Sequence, residues 1–155
     1  MQMTNNFELQ IFNELTELRR MSEWLHHACE NLDLPGTLAL NLDLCANEAV
    51  TNIIHYGYKD HDRHEIHIRL ELKENQTLCL TIQDDGIPFN PFETLPPAPF
   101  DSIENAKIGG LGIHLIRSLM DECNYRRFKD QNIVTLSASL VQASTGPLHY
   151  AVSDI

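Results

Sequence analysis

No stretch of this 155-residue chain is long and apolar enough to cross a bilayer as a helix. Cysteine is sparse as well. Cys29, Cys45, Cys79 and Cys123 are scattered, with no C-x-x-C pair, and read as reduced core thiols rather than a disulfide framework or a thiol-based metal site. Basic residues number 11 against 22 acidic ones, a net charge of −11. An acidic surface repels nucleic acid and anionic membrane, yet still allows a local basic patch that grips a nucleotide. The first ten residues, MQMTNNFELQ, lack the basic-then-apolar order of a secretory signal. Together these absences lead to the expectation of a cytoplasmic protein. Its 43% hydrophobic content is ordinary for a globular chain long enough to build a core.

The apolar pattern changes period along the chain. Phe7, Leu9 and Ile11 alternate with polar residues and predict a short strand. From Asn13, a candidate cap, Leu15, Leu18, Met21, Leu25 and Ala28 follow helical spacing to about Asn31, and Leu34-Pro35-Gly36 breaks the run. Leu38, Leu40, Leu42 and Leu44 alternate like a strand, but no breaker separates them from the segment that carries Glu48. The spacing therefore predicts one helix over Thr37–Tyr56, capped by Thr37, with Gly57 as its stop. Two alternating runs, Ile66–Leu72 and Leu78–Asp84, flank the turn KENQ and predict a hairpin. Residues 88–108 carry five prolines and read as a long irregular loop, of the kind that is either a functional lid or disordered. A short helix to about Glu122 comes next, then strands over Tyr125–Lys129 and Ile133–Leu140. The expected fold is α+β, a two-layer sandwich with helices on one face of a mixed, mostly antiparallel sheet. The expected domain spans residues 1–141, with 142–155 as a C-terminal tail.

Three segments carry chemistry. In LCANEAVTNIIHYG, Glu48, Asn52 and His55 stack at i, i+4 and i+7 on one side of a helix, while Leu44, Val50, Ile53 and Ile54 offer apolar surface elsewhere. A carboxylate and a carboxamide in register can serve a hydrated magnesium ion that shares its shell with phosphates. They can equally be the wet side of a packed helix. Asp84-Asp85-Gly86 sits where a strand leaves the sheet. A carboxylate there can accept a hydrogen bond from an exocyclic amine such as adenine's, and the glycine lets a flat base approach the backbone. The same residues also suit a plain turn. Gly109-Gly110-Leu111-Gly112 opens a helix, where backbone N–H groups and the helix end favour phosphate, and Lys107 could add charge. A hinge is the other reading. The pattern is neither a P-loop nor a dinucleotide fingerprint.

In this order, NEAVTNIIHYGY, DDGIPFNP and GGLGIHLIRSLMDE resemble the three nucleotide boxes of the GHKL ATPase superfamily. Within it they most resemble the anti-sigma-factor serine/threonine kinases of partner-switching regulation, over about Glu14 to Leu140. The resemblance implies the ATP-binding (Bergerat) fold, ATP and Mg2+ as cofactors, and phosphorylation of an anti-anti-sigma (STAS-type) protein. It implies Glu48 as general base, Asn52 as magnesium ligand, Asp84 and Gly86 at adenine, and Lys107, Gly109, Gly110, Leu111 and Gly112 around the phosphates. A sigma factor as partner, and a homodimer, are implied in the same way. The alternative is an ATP-binding regulator that sequesters a sigma factor or other partner without catalysis. A histidine kinase is disfavoured, because no helix pair bearing a phospho-accepting histidine precedes the first box within this sequence.

The sequence departs from the family pattern at three places. Asn90 stands where aspartate is usual. Gln131-Asn132 replaces a Gly-Thr pair that gives a second adenine contact, so that contact is expected to be lost. The tail is longer than the minimal domain. His61, His64 and His67 are not expected to converge, and His26 with Glu30 falls short of a zinc site. His55 is expected to be structural. Arg19 and Arg20 fit either solvated charges or, by the resemblance, a partner-contact region.

Overall fold

The computed structural model describes residues 5–93 and 110–141. Strand β1 (Asn6–Phe12) leads into a 3-10 turn (Leu15–Glu17) and helix α1 (Leu18–Asn31). Helix α2 (Gly36–Tyr56) follows, then β2 (Glu65–Leu72) and β3 (Thr77–Asp84). A second 3-10 turn (Pro91–Glu93) precedes helix α3 (Gly110–Leu119), and β4 (Glu122–Phe128) and β5 (Gln131–Ser139) complete the sheet.

The ambiguous leucines resolve as helix. Leu42, Cys45, Ala46 and Val50 of α2 are buried at helical spacing, whereas Leu40 and Leu44 stay exposed. Leu44 therefore does not pack as expected. Neither predicted cap acts as one. The carbonyl of Pro35 takes the Ala39 N–H at the start of α2, and no side chain caps it. The Asn13 side chain leaves its own helix to accept the His64 N–H at 2.8 Å, and it donates to the Asp62 carbonyl. A 3-10 turn fills the space Asn13 was expected to open.

The sheet runs β1-β2-β3-β5-β4, and each of the four pairings is antiparallel. The sheet is thus antiparallel rather than mixed among the described residues: β2–β3 and β4–β5 are hairpins, β1 joins the edge of β2, and β5 pairs with β3. Register aligns Ile11, Ile66, Ile82, Asp84 and Asn132 toward the helices. Ile66 faces Ile11 and Asp84, and Asp84 faces Asn132. The core lies in this layer, with Met21, Leu25, Leu42, Val50, Ile68, Leu80, Ile116 and Leu136 almost wholly buried. Two polar residues, Asp84 and Asn132, interrupt that apolar face side by side at the end where α2 and α3 meet it. A buried polar pair demands compensation, and its surroundings define the site.

Candidate functional site

Glu48 and Asn52 lie one turn apart on α2, as the spacing predicts. Asn52 lines a cleft with Ala49, Asp84, Ile87, Ile113 and Asn132, so helix, strand exit and third helix meet there. No hydrogen bond engages the Asn52 amide among the described residues, which leaves its oxygen available. Glu48 faces α3. A β-carbon added at Gly112 would fall on Glu48 Oε2 and within 3.2 Å of Glu48 Cδ. Glycine at 112 is thus the space the carboxylate occupies. Gly110 and Leu111 are in the first turn of α3. Lys107 and Gly109 lie outside the described residues, as do positions 94–108 of the predicted lid and the tail 142–155. His55 is exposed and tilted against Tyr56 at the edge of the cleft.

Asp84 is 4% exposed. Its Oδ1 accepts the Gly86 N–H at 2.8 Å and the Asn132 amide at 3.0 Å. Burial pushes this carboxyl above its ordinary value. The Asn132 and Gly86 hydrogen bonds draw it back, Asp85 raises it further, and Arg127 lowers it. At Gly86 the constraint is steric, since an added β-carbon would fall on the Gly57 carbonyl oxygen and within 2.8 Å of Asp84 Oδ1. The Ile87 N–H donates to that same carbonyl at 2.8 Å. Gly57 caps α2 with φ of −79°, a right-handed conformation, so a left-handed stop is not what selects glycine there.

Asn132 is the residue sequence reasoning undervalued. It stands where a second base contact was expected to be lost, yet it is 5% exposed and lines the cleft. Tyr125 Oη donates to its oxygen at 2.6 Å, and Arg127 donates to it at 3.1 Å and to the Gly86 carbonyl at 2.8 Å. The signal was there to read. A polar residue on a strand face whose other positions are Val134, Leu136 and Ala138 needs partners. Asn90 does what an aspartate would do, accepting the Phe92 N–H at 2.9 Å to cap the 3-10 turn.

His64 was also missed. Its Nε2 meets Asp60 at 2.7 Å and its Nδ1 meets Asp85 at 3.2 Å, while the ring stacks on Tyr58 with centroids 4.2 Å apart. The Tyr58 hydroxyl is buried with no hydrogen-bond partner among the described residues. The three-residue spacing with His61 and His67 is irrelevant, because the partners of His64 are carboxylates. His26 and Glu30 form an exposed pair at 3.1 Å, and no group of three or more metal-ligating side chains gathers among the described residues. Arg19 pairs with Glu23 on the surface. Arg20 binds Glu17 and the Gln10 carbonyl at 2.7 Å, which ties α1 to β1.

No helix among the described residues is long and apolar enough to cross a membrane. The family described as "Histidine kinase-like ATPase domain" matches residues 11–138. The chain is 30% identical over 115 residues to the serine/threonine-protein kinase BtrW of Bordetella bronchiseptica, covering 74% of this chain and 80% of that one. It is 33% identical over 107 residues to the serine-protein kinase RsbW of Bacillus mycoides, covering 66% of this chain and 64% of the relative. The fold is similar to that of the RsbU and RsbW domains of a Mycobacterium tuberculosis protein, with TM-score 0.64 and 13% identity, over 88% of this chain and 32% of that one.

The imidazole of His64 is held between two carboxylates, and the hydrogen bond to Asp60 is the largest cause of its raised pKa. A group raised on folding stabilises fully below its unfolded value, and that stability is lost as pH rises through the folded value. Denaturant midpoints of the wild type should therefore fall between about pH 6 and about pH 8 relative to those of His64→Gln. Parallel pH profiles for the two proteins would show that the two carboxylates do not hold the imidazolium.

Proposed function

The chain belongs to the histidine kinase-like ATPase domain family and, within it, to the serine/threonine-protein kinases, and on that premise we propose how its residues carry out phosphoryl transfer from ATP. The substrate we propose is a serine or threonine hydroxyl of an anti-anti-sigma (STAS-type) protein, with a sigma factor as second partner, a homodimer as the working form and the cytoplasm as its location. Residues 1–141 form the kinase domain in this reading, and 142–155 a tail.

One observation carries the proposal. Glu48, Asn52, Asp84 and Gly112, which span 65 positions of sequence (48 to 112), converge on the meeting point of α2, α3 and the β3 exit. Adenine occupies the cleft between Ile87, Ile113 and Val134, with its amine on Asp84 and its plane against the backbone at Gly86. Gly110, Leu111 and Gly112, with Gly109 and Lys107 before them, hold the phosphates through N–H groups at the start of α3 and through charge. The residues fit magnesium. The Asn52 oxygen is a hard donor with no competing hydrogen bond among the described residues, and it sits one turn from a carboxylate. When bound, the ion supplies neutralisation of phosphate oxygen charge. Phosphoryl transfer asks the protein mainly for alignment and charge compensation. Glu48 adds removal of the hydroxyl proton, a positioned base step worth roughly 10²- to 10⁴-fold. A glutamate kept beside a glycine that makes room for it favours catalysis over sequestration alone.

Three substitutions test these roles. Glu48→Gln should cut transfer of labelled phosphate to a STAS-type substrate by about 10²-fold or more while ATP affinity stays within about twofold. Full transfer by that variant rules Glu48 out as the base. Asn52→Ala should lose most of the magnesium-dependent part of ATP binding in calorimetry, and unchanged affinity removes it from the ion's shell. Gly112→Ala should fold, since alanine suits a helix better by about 1 kcal/mol and the obstructing atom is the tip of a flexible side chain. Its transfer rate should nonetheless fall by about tenfold or more as the Glu48 carboxylate is displaced. A normal rate in Gly112→Ala would mean that the carboxylate position is not what catalysis depends on.

A further inference from the structure

We infer that Asn132 is a positioning residue for nucleobase choice: it holds Asp84 so that one carboxylate oxygen is filled by protein donors and the other faces the cleft as an acceptor. The inference rests on the reading that Asp84 meets the base, and it adds what makes that contact selective in this chain.

The amide orientation is set by its neighbours. Asn132 Nδ2 donates to Asp84 Oδ1 at 3.0 Å and to the Ile87 carbonyl at 2.9 Å. Asn132 Oδ1 receives Tyr125 Oη at 2.6 Å, Arg127 Nη1 at 3.1 Å and the Phe89 N–H at 3.4 Å. The opposite orientation would aim two N–H groups at a guanidinium and oppose the amide oxygen to a carboxylate and a carbonyl. Both amide hydrogens are therefore spent within the protein. Asn132 lines the cleft but has no donor left for a ligand, so it acts through Asp84.

Asp84 is correspondingly fixed. Its Oδ1 takes two donors, from Gly86 and Asn132, and its Oδ2 takes none among the described residues. Asp85, Arg127 and Tyr58 are the other titratable groups around it. An ionised carboxylate accepts hydrogen bonds only. It matches the amine at C6 of adenine and opposes the oxygen at C6 of hypoxanthine or guanine. Without Asn132, the buried carboxyl loses a hydrogen bond that favours its charged form. It can then turn, or hold a proton and donate to a C6 oxygen. Either change erodes the preference for adenine rather than affinity for nucleotides in general.

The experiment is equilibrium binding of ATP and of inosine triphosphate, which carries oxygen at C6, to the full chain. The wild type should favour ATP. In Asn132→Ala, ATP affinity should fall by about tenfold or more while inosine triphosphate affinity stays within about threefold, so that the ratio collapses. Tyr125→Phe removes a single hydroxyl from a half-buried strand position and is the variant to use if Asn132→Ala does not fold. It should lower the ratio by about threefold. An equal loss for both nucleotides, or an unchanged ratio in either folded variant, makes Asn132 merely structural and overturns the inference. A wild type that binds ATP but prefers neither base overturns it at a different point, because Asp84 is then not a base-reading group.

Discussion

The last peptide of α2 lies directly against the turn that follows β3. The Gly57 carbonyl accepts the Ile87 N–H and fills the space a side chain at 86 would need. The obstructing atom is backbone, fixed by the capping bond from the Gly57 N–H to Ile53, and it cannot move aside as a side-chain tip could. The helix bearing Glu48 and Asn52 is thus joined to the strand bearing Asp84 at a distance only glycine permits. On the other flank, Gly112 lets α3 close onto Glu48. Two close approaches, one near each side of α2, bring three segments of sequence into one site. The apolar core beneath them keeps the supporting layers rigid.

Local structure was legible wherever the period was strong. The β2–β3 hairpin, with its turn at KENQ, and the long α2 followed from alternation and from the absence of a breaker. The caps were not legible, because Asn13 spends its side chain on a segment some 50 residues away and Pro35 supplies α2's first carbonyl without side-chain help. Strand order was not legible either, since β5 inserts between β3 and β4 and no local pattern states which edge a hairpin joins.

The site divides along the same line. Residues whose role depends on helix spacing or on a turn, such as Glu48, Asn52, Asp84 and Gly86, could be nominated from the sequence. Residues whose role is to hold another side chain could not. Asn132 acts on Asp84 across 48 positions, and His64 acts on Asp85 across 21. The histidine spacing invited the question of whether imidazoles converge on one another. The chemistry instead pairs one imidazole with two acids, and three-residue periodicity carries no trace of that.

Charge gives the arrangement its final constraint. The chain carries −11 and places Glu48, Asp84 and Asp85 at or beside the cleft, so its long-range field opposes a polyphosphate rather than guiding it. The arginines near the cleft are engaged as well: Arg127 binds the Gly86 carbonyl and Asn132, and Arg117 binds the Phe92 carbonyl. Neither is free to act as a dedicated phosphate clamp. In the proposed function, attraction for the nucleotide comes instead from short-range donors at the start of α3, from Lys107, from apolar contact along Ile87, Ile113 and Val134, and from a cation that would arrive with the phosphates. A site built this way gains little from approach and most from fit. That is why the residues which hold Asp84, Gly86 and Glu48 in place matter as much as the residues that would touch the ligand.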